Sequence, residues 1–386
     1  VDGAAHLKPL VVLGATGSIG AQALEVAARL ELPVAGIAAG SCSDRILETA
    51  AAHPAAAVVI ANPDDAGRER CRDRLGDRVS FGPEALDALA ARPGSIVVNG
   101  VVGAAGLAPT VAALEAGNRV ALANKESLVV GGPVVTAAAE YGGGEVIPVD
   151  SEHSALWQCL VGEPVGAVRR LILTASGGPF RGRDAADLAH VTVAEALAHP
   201  TWSMGPRITV DSATLMNKAF EVIEAHHLYG VDYDHIDVVV HPQSIVHSLV
   251  EFADGSVKAQ LGEPDMRLPI QYAITYPDRV AAPATGFDLT RRPLSFEAPD
   301  HDAFPCLRLG YTAGKQGGSA PAVLNAADEV AVAAFLAGRI RFPAIATVVA
   351  ATLEAVAPHP VTTVAAALAV DAEARVVAAG LVESAG

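Results

Sequence analysis

The chain is poor in aromatic side chains, in cysteine and in positive charge. Aromatics are 4% of its 386 residues, and 27 Lys and Arg stand against 43 Asp and Glu, a formal charge of -16. That balance excludes a nucleic-acid-binding surface, which needs clustered cations, and it obliges an anionic substrate to find its cations locally. The four cysteines, Cys42, Cys71, Cys159 and Cys306, are far apart and form no C-x-x-C pair. Neither a disulfide framework nor a zinc ribbon is expected from them, and a reducing cytoplasm suits them best. No basic stretch followed by an apolar core opens the sequence, so no secretory leader is expected. Residues 95–114 are uncharged, but Asn99, Gly100, Gly103, Gly106 and Pro109 interrupt them. That run reads as strand, turn and helix, not as a membrane span.

Apolar residues are plentiful, at 51%, enough to bury large cores in two or three domains. Over the first 150 residues, short apolar runs at 10–13, 34–38, 58–60, 96–98, 120–123 and 146–149 alternate with Ala-rich helical segments. This rhythm predicts parallel βαβ units. After the first run comes Gly14-Ala-Thr16-Gly17-Ser18-Ile19-Gly20 and then a helix, a G-x-x-G-x-x-G turn that lets a pyrophosphate approach a helix N-terminus. The second strand ends in Gly40-Ser41 with no carboxylate to grip a ribose 2′-hydroxyl, which favours NADPH over NADH.

Three further clusters point to chemistry. Asn124-Lys125-Glu126 follows the fifth apolar run, at the sheet edge where α/β folds bind ligands. Asp150-Ser151-Glu152 follows the sixth, and continued extended geometry would turn Asp150 and Glu152 to one side. In the third cluster, a loop with His199, Trp202, Met204 and Gly205 precedes a helix that would start near Ala213. Asn217, Lys218 and Glu221 would share one face of it, with Leu215, Met216, Ala219, Val222 and Ile223 on the other. Ser212 would then sit at the helix entry, where free N–H groups favour a phosphate. Asp150, Glu152 and Glu221 together would make an all-oxygen site suited to Mg²⁺ or Mn²⁺.

Strands are expected at 168–173, 238–240 and 245–252, the first ending in the Ser176-Gly177-Gly178 turn, either plain punctuation or an anion contact. His226, His227, His235, His241 and His247 do not make a helical zinc pair and are read as structural or interface residues. Prolines at 277, 283, 293, 299 and 305 mark a linker. Helices at 320–336, 344–356 and 361–379 follow, without evident chemistry. The expected division is 1–150, 151–276, a linker over 277–305, and 306–386.

With these motifs the chain resembles the 1-deoxy-D-xylulose 5-phosphate reductoisomerase family over nearly its whole length. The likeness rests on Gly14 to Gly20, Asn124 to Ser127, Asp150 to Ser154, Ser176 to Phe180, His199 to Met204, Asp211 to Glu221 and His241-Pro-Gln-Ser244. It implies a homodimer with an N-terminal α/β Rossmann-like domain on a parallel sheet, an α+β central catalytic domain and a C-terminal α-helical bundle. The implied reaction is NADPH- and metal-dependent rearrangement and reduction of the sugar phosphate to 2-C-methyl-D-erythritol 4-phosphate, in isoprenoid precursor synthesis. Asp150, Glu152 and Glu221 would hold the metal, and Ser176, Ser212 and Asn217 the phosphate. Lys125, Ser151, Asn217 and Lys218 would contact substrate oxygens, under a flap of His199, Trp202 and Met204. The cofactor set would be Gly14, Thr16, Gly17, Ser18, Ile19, Gly40, Ser41, Asn124, Glu126 and Gly205. One departure is Ser41-Cys42 after Gly40, where many members carry a basic residue. A dehydrogenase of another sugar phosphate would keep every motif, and a non-catalytic NADPH sensor is the more distant alternative.

Overall fold

The computed structural model describes residues 8–202, 204–282, 288–290 and 293–385. Ser203 of the expected flap and parts of the expected linker lie outside them. The described residues form two compact units. One is drawn from Val1–Ser127, Val134–Ser154 and Asp265–Ala284, the other from Leu128–Pro133, Ala155–Pro264 and Thr285–Gly386.

The first unit is built on seven parallel strands: β1 (Leu10–Leu13), β2 (Val34–Ala39), β3 (Ala57–Ile60), β4 (Val79–Phe81), β5 (Ile96–Asn99), β6 (Arg119–Leu122) and β7 (Glu145–Pro148). Their order is β4-β3-β2-β1-β5-β6-β7. Strands β1, β2 and β5 are buried along their whole length, which is why they read as unbroken apolar runs and not as alternating patterns. The order reverses beside β1, with β2 on one flank and β5 on the other. In open α/β sheets ligands bind at the carboxyl ends of the strands at such a switch point. Strand β4 was not expected; with three residues at the sheet edge it is too short to show a period.

Two expectations are altered in this unit. Cys42 and Cys71 are joined by a disulfide across 29 residues, with Cα atoms 6.4 Å apart. Cys42 follows the tip of β2, and Cys71 lies in the Asp65–Leu75 helix after β3. Only the pairing of β2 with β3 brings them together, so spacing along the chain carries no sign of it. Second, the segment after Pro264, expected at the end of the catalytic domain and in the linker, returns to this unit. Its Arg267–Thr275 helix is tied by Arg267 to Glu25 at 2.8 Å, and Arg29 donates to the Ala281 carbonyl at 2.6 Å.

The second unit holds the strands β8 (Val168–Ala175), β9 (Ile236–Val240), β10 (Val246–Phe252) and β11 (Val257–Leu261), in the order β11-β10-β8-β9. Strand β8 pairs antiparallel with β10 and parallel with β9. Four helices follow: Cys306–Gln316, Ala320–Leu336, Ala344–Ala355 and Val364–Ala385. The bundle shares one continuous core with the sheet, in which Leu171, Phe220 and Ile223 join Leu324, Phe335 and Val349. Strand β11, largely exposed, and the Cys306–Gln316 helix were not anticipated. No helix among the described residues is long and apolar enough to cross a membrane.

Candidate active site

At the switch point of the first unit, the Ser18–Arg29 helix starts from Gly17 with no side-chain cap and no acidic residue in its first turn. Its leading N–H groups and positive dipole end are thus available to an anion. Gly17, Ser18, Gly40 and Ser41 are exposed, and Ser43, not Ser41, caps the Asp44–Ala52 helix. Asn124 is placed differently from the expected cofactor contact. Its amide is buried and donates to the Val101 and Gly103 carbonyls at 2.8 and 3.0 Å, while the Glu126 carboxylate accepts from the Gly103 N–H at 3.1 Å. These residues brace the loop after β5, which carries Val102 at 75% exposure. That loop was missed as a site element; its signal is the Gly100-Val-Val-Gly103 sequence at a strand end.

The acidic motif after β7 turns out helical. Asp150 precedes the Ser151–Leu160 helix and its carbonyl accepts the Ser154 N–H at 2.8 Å, so Glu152 lies in a first helical turn and not on a continued strand. The extended geometry fails because Asp is a strong N-terminal helix residue. Lys125 Nζ approaches Asp150 Oδ2 at 2.5 Å, and the Ser151 hydroxyl donates to Glu152 at 2.5 Å. Each carboxylate therefore has a donor beside it.

In the second unit, the helix expected from Ala213 starts at Met216, and a separate helix precedes it. Pro206–Thr214 and Met216–Tyr229 meet at Leu215, which has φ 62°. Ser212 consequently sits in the last turn of the first helix, not at the entry of the second. The apolar set Leu215, Met216, Ala219, Val222 and Ile223 is buried as expected, but the polar face is buried too, with Lys218 at 4% and Glu221 at 0% exposure. Burial on that scale is tolerated because Lys218 pairs with Glu221 and the Asn217 amide donates to Glu221 at 2.6 Å.

Ser176, Ser212 and His199 converge within the same unit. His199 Nε2 is 3.0 Å from the Ser176 hydroxyl and 3.2 Å from that of Ser212. Its Nδ1 accepts the backbone N–H groups of Thr201 and Trp202 at 3.1 and 2.9 Å. Two donors on Nδ1 fix the tautomer: the proton is on Nε2, the ring is neutral, and both serine hydroxyl hydrogens remain to donate to an anion. Gly178 makes the approach possible, since a Cβ there would meet the Ser212 carbonyl oxygen at 2.8 Å. Burial also lowers the His199 pKa. Protonating Nδ1 expels the two N–H groups, so the loop contact is complete above the usual imidazole range and is lost as pH falls through the lowered value. In a Trp157→Phe background, Trp202 fluorescence is expected to change along that acid limb and to lose the transition in His199→Gln; an identical profile in both would separate the ring from the loop.

Three family models cover most of the chain: the 1-deoxy-D-xylulose 5-phosphate reductoisomerase model over residues 10–132, and two C-terminal domain models of the same enzyme over 146–229 and 261–377. The chain is 54% identical over 379 residues to the 1-deoxy-D-xylulose 5-phosphate reductoisomerase of Xanthomonas oryzae pv. oryzae, covering 96% of this chain and 95% of that one. The chain belongs to the 1-deoxy-D-xylulose 5-phosphate reductoisomerase family. Solved reductoisomerases agree in fold. The Zymomonas mobilis enzyme in complex with NADPH has a TM-score of 0.90 at 41% identity, over 98% of this chain and 100% of that one. A DOX-P reductoisomerase in complex with NADPH, fosmidomycin and magnesium has a TM-score of 0.89 at 36% identity, over 98% of each chain. The reductoisomerase segment 146–229 contains Asp150, Ser151, Glu152, Ser176, His199, Ser212, Asn217, Lys218 and Glu221.

Proposed function

We infer that the protein converts 1-deoxy-D-xylulose 5-phosphate to 2-C-methyl-D-erythritol 4-phosphate with NADPH and a divalent cation. The observation that carries this is the 54% identity to a named reductoisomerase over 96% of the chain. The residues present fit both groups. The uncapped, acid-free helix start after Gly17 suits a pyrophosphate. For the cation, the family-matched segment 146–229 carries the carboxylates Asp150, Glu152 and Glu221, an all-oxygen donor set, and we assign them as its ligands. A bound Mg²⁺ or Mn²⁺ would supply Lewis acidity at the substrate carbonyl and hydroxyl oxygens.

The protein's own groups do the rest. Ser176 and Ser212, their hydroxyls oriented by the Nε2–H of neutral His199, donate to the phosphate, which anchors the substrate at a point remote from the reacting carbons. Lys218, Lys125, Asn217 and Ser151 face the substrate oxygens, and the two ammonium groups stabilise negative charge that develops there. Because His199 also grips the backbone of Thr201 and Trp202, phosphate binding is coupled to the loop that carries the indole and Met204. Closure of that loop over the substrate would exclude water, and NADPH when bound would supply the hydride. Trp202→Ala is expected to raise KM for the sugar phosphate and lower kcat, each by about tenfold or more, with NADPH affinity within about twofold of wild type. Steady-state kinetics with NADPH titrated separately would show it, and an unaltered profile would make the loop a connector.

A homodimer is proposed on the exposed apolar side chains Val257, Leu289, Leu294 and Phe296, and a cytoplasmic setting on the NADPH requirement. The test of function is NADPH oxidation with 1-deoxy-D-xylulose 5-phosphate, with and without Mg²⁺ or Mn²⁺, repeated with NADH. Turnover is expected only with metal and preferentially with NADPH, giving a branched product by carbon-13 NMR. An unbranched product would contradict the assignment.

A further inference from the structure

The Pro206–Thr214 helix carries Ser212 on one side and a buried cluster of charges on another. Arg207 and Asp211, one turn apart, lie 3.6 Å from each other. Arg207 reaches across to the Ala320–Leu336 helix, contacting Asn325 and Glu329 at 2.9 Å each and Asp328 at 3.7 Å. Arg375 closes the set from the Val364–Ala385 helix, at 2.7 Å from Glu329 and 2.6 Å from Asp371. The side chain of Asp328 is fully buried and that of Asp211 is 5% exposed. None of these groups has a part in the chemistry described above.

We propose that the Arg207–Asp211–Asp328 cluster is a positioning device for phosphate recognition, fixing the rotation of the Pro206–Thr214 helix and so the place of Ser212. Residues 207, 211 and 214 share a face of that helix, and residue 212 is turned about 100° from residue 211. Apolar packing alone holds two helices together but resists rotation weakly, whereas a forked guanidinium between three acceptors permits one setting. Retaining charges in a core costs desolvation, which an apolar pair would avoid, and the return here is geometry. Thr214 extends the device. Its hydroxyl donates to the Asp211 carbonyl and accepts the Met216 N–H, both at 3.2 Å, linking the cluster to the start of the helix that bears Asn217, Lys218 and Glu221. Asp328, fully buried, thus shares the Arg207 guanidinium with Asp211. Burial and the neighbouring Asp211 hold the Asp328 carboxyl well above the usual range.

This inference rests on the reading of Ser212 as a phosphate contact, and the test separates the two. KM for 1-deoxy-D-xylulose 5-phosphate, inhibition by inorganic phosphate, NADPH affinity and thermal stability are measured for Arg207→Lys, Asp328→Ala, Asp328→Asn and Ser212→Ala in the full chain with Mg²⁺. Arg207→Lys and Asp328→Ala should raise KM and the phosphate inhibition constant together, by about tenfold, with NADPH affinity unchanged. Asp328→Asn should restore both, because it keeps the shape of the side chain and an oxygen acceptor facing Arg207. Arg207 is partly exposed, so its Lys variant stays informative even where Asp328→Ala does not fold. A wild-type KM in Arg207→Lys, whatever its stability, overturns the proposal, as does Asp328→Asn impaired as severely as Asp328→Ala. A wild-type KM in Ser212→Ala removes instead the phosphate assignment beneath it.

Discussion

Glu221→Gln is expected to lower kcat/KM by about a thousandfold or more while NADPH affinity stays within about twofold of wild type. The substitution keeps shape and volume and can still accept the Asn217 amide, so packing in the core around Phe220 and Val222 is preserved. What it removes is one of three negative charges assigned to the cation. It also weakens the pairing with Lys218, an ammonium only 4% exposed, so a stability loss of about 1–3 kcal/mol should accompany it. The two effects separate experimentally. Thermal unfolding reports the second, and turnover at saturating Mg²⁺, well below the unfolding temperature, reports the first. Activity within about tenfold of wild type would remove Glu221 from the metal site.

Gly20→Ala should have the next largest effect, on the cofactor. A Cβ at Gly20 would lie 2.3 Å from the Gly14 carbonyl oxygen and 2.6 Å from the Ala15 Cα, backbone atoms that cannot rotate away. The helix start has to move off the turn, and the N–H groups aimed at the pyrophosphate move with it. NADPH binding should weaken by about a hundredfold, or about 2.7 kcal/mol, an overpacking cost of ordinary size. Gly17→Ala is the contrast, since its Cβ meets only the Gly14 oxygen, at 3.3 Å. Fluorescence titration with NADPH checks both; equal affinities in Gly20→Ala and wild type would mean that the turn is not the cofactor cradle.

Much of the first unit was legible because a parallel sheet buried on both faces writes each strand as an apolar run and each turn as glycine. Its short edge strand β4 and the exposed edge strand β11 of the second unit escaped for the converse reason: neither buries enough to stand out as an apolar run. The residues of the candidate site were legible as motifs, but their local geometry was not. The left-handed Leu215 breaks a stretch that reads as one helix, because no glycine or proline marks the break. The helix begun at Ser151 replaced an extended continuation that residue spacing equally allowed. The disulfide between Cys42 and Cys71 and the Arg207–Asp328 cluster depend on chain segments brought together only by folding, so neither has a local signature. Asn124 shows the limit of motif reading: its position at the sheet edge was right, but its amide is committed to the loop beside it.

The most direct test of the account is Mn²⁺ binding followed by electron paramagnetic resonance in the full chain. Wild type should bind one ion per chain, and Asp150→Asn, Glu152→Gln and Glu221→Gln should each weaken binding by about tenfold or more, with the fold retained by circular dichroism. Wild-type affinity in Glu221→Gln, alongside weakened binding in the other two, would contradict the assignment of the three carboxylates to a single cation.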